Sequence, residues 1–359
     1  MTEQRTYAII GCGMMGREHM RNLALIEGAK LIAISDPVAA SREAALNQAE
    51  SLRQSIQVFD DNAPMLAQTR PDAVIVATPN FTHFDVVQPV MEQGCAVLME
   101  KPLCTVPEHA LALERAVRDY KPLFWVGLEY RYMPPATRFI ERVHAREAGP
   151  ITMLSIREHR FPFLPKVGDW NRFNRNTGGT LVEKCCHFFD LMRHILQDEP
   201  VRVFASGAQN VNHLDERYDS GSPDIIDNAY ALVDFAGGAR ACLDLCMFAE
   251  GSQDQEEISV VGSKGKLEVK LPSASVIWSP RDRTGPHIEP VSTPPKALEA
   301  GSHHGATYFQ LRHFHAALTS GTRPQITARD GYRSVVMGAA AQESIATGLP
   351  VRIRFEDED

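Results

Sequence analysis

Apolar positions follow two different rhythms along this chain, and the rhythm changes about a third of the way in. In the first part, near-continuous apolar runs occur at Tyr7–Ile10, Leu31–Ile34, Asp72–Ala77, Cys95–Met99 and Leu123–Val126, with a shorter run at Gln57–Phe59. Such runs suit parallel strands buried on both faces. The stretch after Gly16 and the segments Ser41–Gln54, Ala63–Gln68, Thr82–Gln93 and Pro107–Asp119 carry helical spacing instead. Regular alternation of strand and helix predicts a doubly wound parallel sheet, whose ligands sit at the carboxyl ends of its strands.

After Gly127 the apolar residues alternate with polar ones, as in strands with one wet face. Strands are predicted at Ile151–His159, Val201–Val211, Asn228–Phe235, Ala239–Phe248, Ile258–Gly262, Lys266–Lys270 and Ser275–Trp278, with Gly237-Gly238 as a hairpin turn. One long helical stretch, Gly179–Leu196, interrupts them. Residues 280–300 hold five prolines and little apolar content, which predicts an irregular loop serving as lid or arm. The expected fold is therefore α/β plus α+β. Residues 1–126 form the parallel domain, and residues 127–359 form a domain on an open, largely antiparallel sheet, with the last helix packing back toward the first domain.

Composition narrows the function. A chain of 359 residues exceeds the usual size of one core, and 44% hydrophobic with 23% charged residues is ordinary for a globular protein. No apolar run is long enough to span a membrane. The first strand begins within a few residues of Met1, leaving no room for a signal peptide. Seven irregularly spaced cysteines point to reduced thiols and a cytoplasmic setting. A net charge of −8 argues against nucleic acid or an anionic membrane as partner. The acidic end, Glu356-Asp357-Glu358-Asp359, reads as a solvated tail.

The first βαβ unit carries the clearest chemistry. Gly11-Cys12-Gly13-Met14-Met15-Gly16 lies between strand and helix, and Asp36 ends the next strand 20 residues after Gly16. Gly11 permits the tight turn, Gly13 lets backbone approach a pyrophosphate, and Gly16 lets helix and strand pack closely. The helix N-terminus faces the phosphates, and the carboxylate accepts the ribose hydroxyls. Asp36 repels a 2′-phosphate, so NAD is favoured over NADP, although Arg42 nearby leaves NADP open. Gly16, Asp36, Thr78 and Lys101 all follow strand ends and so share one crevice.

Three segments together resemble the Gfo/Idh/MocA oxidoreductase family: the glycine turn; Ala77-Thr78-Pro79-Asn80 through His83 to Glu100-Lys101-Pro102; and Gly178-Gly179-Thr180 through Glu183 to His187 and Asp190. The close, Gly338 to Val351 with Gly348-Leu349-Pro350-Val351, is also similar. The resemblance implies a Rossmann domain, a second domain whose open sheet builds a homodimer or homotetramer, a nicotinamide cofactor, and a sugar, cyclitol or related alcohol as small-molecule substrate. It implies cofactor contacts from Gly11, Gly13, Met14, Met15, Gly16, Asp36, Thr78, Pro79, Asn80, His83 and Glu100, and a cis bond before Pro102. It also implies Lys101 polarising a substrate oxygen and His187 taking the hydroxyl proton, with a carboxylate partner where many relatives have Asp and this chain has Glu183. Some relatives instead oxidise transiently and cleave a glycoside, and a cofactor-sensing regulator without chemistry is a third reading.

Glu183 and His187 are four apart, on one helical face, with Asp190 and His194 continuing the stripe. A capping box in Thr180-Leu181-Val182-Glu183 competes for Glu183. Cys185 and Cys186 read as core, since no second cysteine pair with ligand spacing exists. His303, His304, His313 and His315 read as surface or packing residues, with His304 in reach of the cleft. The stretch Arg157–Arg175 has five basic residues (Arg157, Arg160, Lys166, Arg172, Arg175) against two acidic ones (Glu158, Asp169), suggesting attraction for an anionic sugar. His159, Arg160, Lys166, Trp170 and Arg172 are the substrate candidates, Trp170 offering an apolar face to a pyranose.

Overall fold

The computed structural model describes residues 4–301 and 303–357. Its first part runs β1 (Arg5–Ile10), α1 (Met14–Leu23), β2 (Ala29–Ser35), α2 (Ala39–Ser51), β3 (Gln57–Phe59), α3 (Asn62–Thr69), β4 (Ala73–Val76), α4 (His83–Glu92), β5 (Ala96–Met99), α5 (Pro107–Arg118) and β6 (Phe124–Val126). These six strands form one parallel sheet in the order β3-β2-β1-β4-β5-β6. The order reverses between β1 and β4, which opens a crevice at their carboxyl ends. Ala8, Ile9, Val74, Ile75, Val97 and Leu98 are wholly buried, as the continuous apolar runs require.

The second part adds α6 (Pro134–His144), β7 (Ile151–His159), α7 (Asn174–Thr177), α8 (Thr180–Glu183), α9 (Cys186–Leu196), β8 (Pro200–Ala208), β9 (Asn228–Phe235), β10 (Arg240–Cys246), β11 (Glu256–Gly262), β12 (Gly265–Leu271), β13 (Ser275–Pro280), β14 (His287–Pro290), α10 (Pro295–Ala300), α11 (Ala306–Ser320), α12 (Ala328–Thr347) and β15 (Val351–Arg352). Nine strands pair in the order β14-β13-β12-β11-β7-β10-β9-β8-β15, all antiparallel except β7 with β10. One face packs on α6, α9 and α12. The other leaves Met153, Phe204, Tyr230 and Leu232 exposed. Helix α12 also packs against α5 and β6 of the first sheet.

Four expectations change. The 280–300 stretch is not irregular: Ile277 and Ile288 pair across β13 and β14, and α10 follows. Its prolines sit at strand ends, in the connecting turn and at the helix start, where no ladder N–H is needed. The acidic end is not wholly solvated. Asp357 is buried and bound by Arg329 at 2.7 Å and Arg333 at 2.9 Å, while Glu358 and Asp359 lie outside the described residues. Helix α6, whose start Pro134-Pro135 masks its apolar stripe, was not foreseen. The fourth change, a break in the long helical stretch, shapes the site. All seven cysteines are free thiols, and among the described residues no helix is long and apolar enough to cross a membrane.

Candidate active site

At the glycine turn, Gly11 has φ +94°, and a Cβ there would lie 2.5 Å from the Ala77 carbonyl oxygen. A Cβ on Gly16 would lie 1.9 Å from the Gly11 carbonyl oxygen, so α1 docks on the turn only with glycine there. Gly13 differs. It is the N-cap of α1, has no side-chain cap, and a Cβ there would meet nothing within 4 Å. The first-turn amides of Met14, Met15 and Gly16 lack a carbonyl within the helix and stand at its positive end, next to the open space over Gly13. Beside them, the Asp36 carboxylate accepts from the N–H groups of Cys12 at 2.7 Å and Val38 at 2.8 Å, which aims it along the loop. Arg42 donates to the Asp36 carbonyl oxygen at 2.7 Å rather than standing free for a phosphate. This cradle fits a dinucleotide with free ribose hydroxyls.

The β4 loop closes the next edge of the crevice. Thr82 donates its hydroxyl to Thr78 at 2.8 Å, and Pro79 leads into Asn80, a buried residue whose Nδ2 has no partner among the described residues. Phe81, after Asn80, meets Trp170 edge-on at 6.2 Å, bringing the Trp170 loop to the same edge. His83 and Glu100, expected among the cofactor contacts, sit deeper. The His83 ring contacts the carbonyl oxygens of Pro102 at 2.8 Å and Thr78 at 3.1 Å, tying the two loops together. Glu100 pairs at 2.7 Å with His19 of α1, an unforeseen residue, and so ties strand β5 to the dinucleotide helix.

Lys101, joined to Pro102 by a cis peptide, extends from the end of β5 and donates its Nζ to the Glu183 carbonyl oxygen at 3.2 Å. The expected long helix is broken here. The N–H groups of both Lys184 (2.9 Å) and Cys185 (3.3 Å) reach the Thr180 carbonyl, the second spanning five residues. That is a π-type bulge, a distortion frequent at functional sites. No capping box forms: Gly179 is the N-cap and the Thr180 hydroxyl goes to the Ile226 carbonyl, leaving the buried Glu183 Oε2 without a partner among the described residues. His187, 3% exposed, likewise has Nδ1 without a partner, so among the described contacts Glu183 does not hold the imidazole.

The electrostatics follow from burial in a ring of cations. Burial pushes the His187 imidazole well below its usual range, and the charges of Lys101, Lys184, His303 and Arg160 push the same way. The ring is therefore neutral, as a proton acceptor must be. Burial raises the Glu183 carboxyl, opposed by Lys101, Lys166, Arg172 and Arg160. Burial lowers Lys166, the attraction of Glu183 opposing it.

The basic stretch is mostly occupied internally. Arg172 is buried and bonds Glu216 at 3.0 Å, and Arg160 bonds Glu158 at 3.3 Å. Among the described residues the Lys166 ammonium makes no hydrogen bond or ion pair, though its carbonyl accepts from the Asp169 N–H at 2.9 Å. His159 is not brought to the site: on β7 it points to the outer face, 3.1 Å from Asp244, while Leu154, Ile156 and Glu158 point inward. The helical stripe also ends at His187. Asp190 is bound by Arg131, with Nε at 2.7 Å, and the His194 ring meets His144.

Several buried groups had no expected role. The Tyr130 ring stacks on His187 with centroids 4.0 Å apart and planes 8° apart. Its hydroxyl receives the Lys184 ammonium at 2.5 Å, which also meets Glu158 at 2.8 Å. The His303 ring lies 6.4 Å from that of Tyr130; its Nδ1 is 3.2 Å from Glu18 and 3.3 Å from Glu129, and the Thr307 hydroxyl contacts both carboxylates. A signal for one of these was present. Glu158 occupies the inward, apolar register of its strand, where an acid requires a partner.

Comparison with known proteins agrees with this architecture. Residues 5–128 match the Gfo/Idh/MocA model described as oxidoreductase family, NAD-binding Rossmann fold, and residues 140–353 match its C-terminal alpha/beta domain. The chain is similar to scyllo-inositol 2-dehydrogenase (NAD(+)) of Bacillus subtilis, 26% identical over 98% of this chain and 97% of that protein. It is similar to inositol 2-dehydrogenase of Rhizobium meliloti, 25% identical over 97% and 98%. Levoglucosan dehydrogenase in complex with NADH shares the fold, with a TM-score of 0.85 at 20% identity over 98% of this chain and all of that one (100%).

Proposed function

The chain belongs to the Gfo/Idh/MocA oxidoreductase family and is an NAD-dependent enzyme, and from that premise we propose that it oxidises a secondary hydroxyl of a neutral cyclitol or sugar, or reduces the matching ketone. The observation that carries this reading is the pairing of a buried, neutral His187 with the Lys101 ammonium beside it, both at the carboxyl end of the NAD-binding sheet. The glycine-turn amides would hold the pyrophosphate, Asp36 the adenosine ribose, and Thr78, Pro79 and Asn80 the nicotinamide end. When bound there, the nicotinamide supplies a two-electron acceptor for hydride.

This chain's own residues handle the proton. The free nitrogen of His187 accepts the carbinol proton as the carbon is oxidised. Lys101 donates a hydrogen bond to the same oxygen as it becomes a carbonyl. Glu183, with one oxygen unpartnered, engages a neighbouring hydroxyl, which suits a substrate with adjacent alcohols. Names of relatives that act on inositol support this class. Because Arg160 and Arg172 are spent on Glu158 and Glu216, a neutral substrate is favoured over an anionic one. The exposed outer-sheet residues Phe204, Tyr230 and Leu232 are read as the face that meets a second copy, in a homodimer or homotetramer.

The test is a panel of inositols, sugars, sugar acids and glycosides with NAD, following NADH absorbance together with products, in wild type, Lys101→Ala and His187→Ala. NADH formation with a polyol, lost in both variants, supports the reading. No turnover on any alcohol, glycoside cleavage without net NADH, or full activity in His187→Ala overturns it.

A further inference from the structure

We propose that Tyr130 is the positioning residue that sets the plane of the His187 imidazole, the hold that a carboxylate partner would otherwise supply; the proposal rests on His187 being the base of the reaction above. A base must present its nitrogen to the substrate oxygen, and misplacement by about 1 Å costs on the order of 100-fold in rate. Among the described residues no hydrogen bond from Glu183 does that work, for neither the Glu183 Oε2 nor the His187 Nδ1 has a partner there. What lies against the imidazole is the Tyr130 ring, centroids 4.0 Å apart and planes only 8° apart. Stacking of that kind fixes the plane of the ring without using its nitrogens, which lie at the ring edge.

Tyr130 is itself held from several sides. Phe188 meets it edge-on at 5.7 Å. The Lys184 ammonium bonds its hydroxyl and is anchored in turn to Glu158, and all three residues are at most 4% exposed. The neighbouring Glu129 is fixed through Thr307. The order of action is thus Glu158, Lys184, Tyr130, His187. An acid and a lysine in the apolar interior brace an aromatic ring, and the ring braces the base. The same arrangement excludes water from the imidazole and keeps an ammonium near it, which agrees with the ring being neutral.

The experiment compares Tyr130→Phe and Tyr130→Leu in the full-length enzyme, measured with saturating NAD and the best polyol found above. Phenylalanine keeps the ring and loses one hydrogen bond, so kcat falls about fivefold or less. Leucine removes the stack, so kcat falls about 10–100-fold while the KM for NAD stays within about twofold. In parallel, proteins labelled with ¹³C-histidine and assigned by His187→Gln report the imidazole directly by NMR. In Tyr130→Leu its resonance should titrate at higher pH and show ring motion absent from wild type. Should Tyr130→Leu be insoluble, Tyr130→Met makes the same comparison. The proposal is overturned if the leucine variant keeps kcat within twofold, if phenylalanine is as damaging as leucine, or if the His187 signal is unmoved. It is also overturned if kcat, NAD affinity and Tm collapse together. Full turnover in His187→Ala would instead sink the role of the base, while the NMR comparison still reads Tyr130's grip on the ring.

Discussion

Replacing Glu129 with glutamine asks where one buried proton resides. The Thr307 hydroxyl lies 2.8 Å from Glu18 Oε1 and 2.6 Å from Glu129 Oε2, yet it has one hydrogen to give. One of the two carboxyls must therefore carry a proton and donate to the hydroxyl oxygen. Burial, with the nearby charges of Glu100 and Glu18 adding to it, raises the Glu129 carboxyl. His303 and Thr307 bonds hold Glu18 low, at about 2. The proton therefore sits on Glu129. An acid whose folded pKa is raised stabilises the fold fully below its unfolded value, near 4.5, and loses that contribution as pH rises toward the folded value. The slope is about 1.4 kcal/mol per pH unit. Glutamine mimics the protonated acid: its amide donates to Thr307 and its oxygen accepts from His303. Glu129→Gln should match wild type below pH 4.5 and exceed it progressively above, by at most about 1.4 kcal/mol per pH unit until the folded carboxyl itself ionises. The window up to 6.5 is cleanest, since His303, whose own raised value gives a loss of the same sign, titrates above it. Other raised acids act equally in both proteins, so the difference between the two melting curves isolates this one. Identical pH slopes in the two proteins, or a glutamine variant as unstable as Glu129→Ala, would refute the shared-proton argument.

Three other outcomes are expected. Gly16→Ala, whose Cβ would fall 1.9 Å from the Gly11 carbonyl, should force α1 off the turn and weaken NAD binding at least tenfold, read by calorimetry. Because burial and surrounding cations hold His187 neutral, kcat/KM should keep its value as pH falls through 6.5, and an acid limb centred there would contradict the burial argument. Arg172→Ala should lower stability by about 1 kcal/mol or less, since Glu216 is partly in water and keeps His213 and Tyr218 as partners, and should change KM equally for charged and neutral sugars. A selective loss of charged sugars would return Arg172 to the substrate.

The chain's own order of residues determined the parallel sheet, the glycine turn and the strand-end positions of Asp36 and Lys101, because each depends on local rules, whereas His187 was singled out by the family resemblance. Apolar runs, turn geometry and the fixed spacing of a βαβ unit act within tens of residues, and strand ends in such a sheet point to one crevice. Even the outward alternation of β7–β13 was readable one strand at a time. What tertiary structure alone decided was pairing between distant residues: Tyr130 on His187, His19 on Glu100, Arg172 on Glu216, and Thr307 between Glu18 and Glu129. A charged residue's sequence neighbours do not say whether it will face substrate or a counter-charge, so the basic stretch read as an anion trap, whereas Arg157, Arg160 and Arg172 each pair with an acid of the chain itself. The helix break at Lys184–Cys185 was hidden for the same reason. Its bulge frees the Glu183 carbonyl for a lysine 82 residues away, a contact no local period can encode.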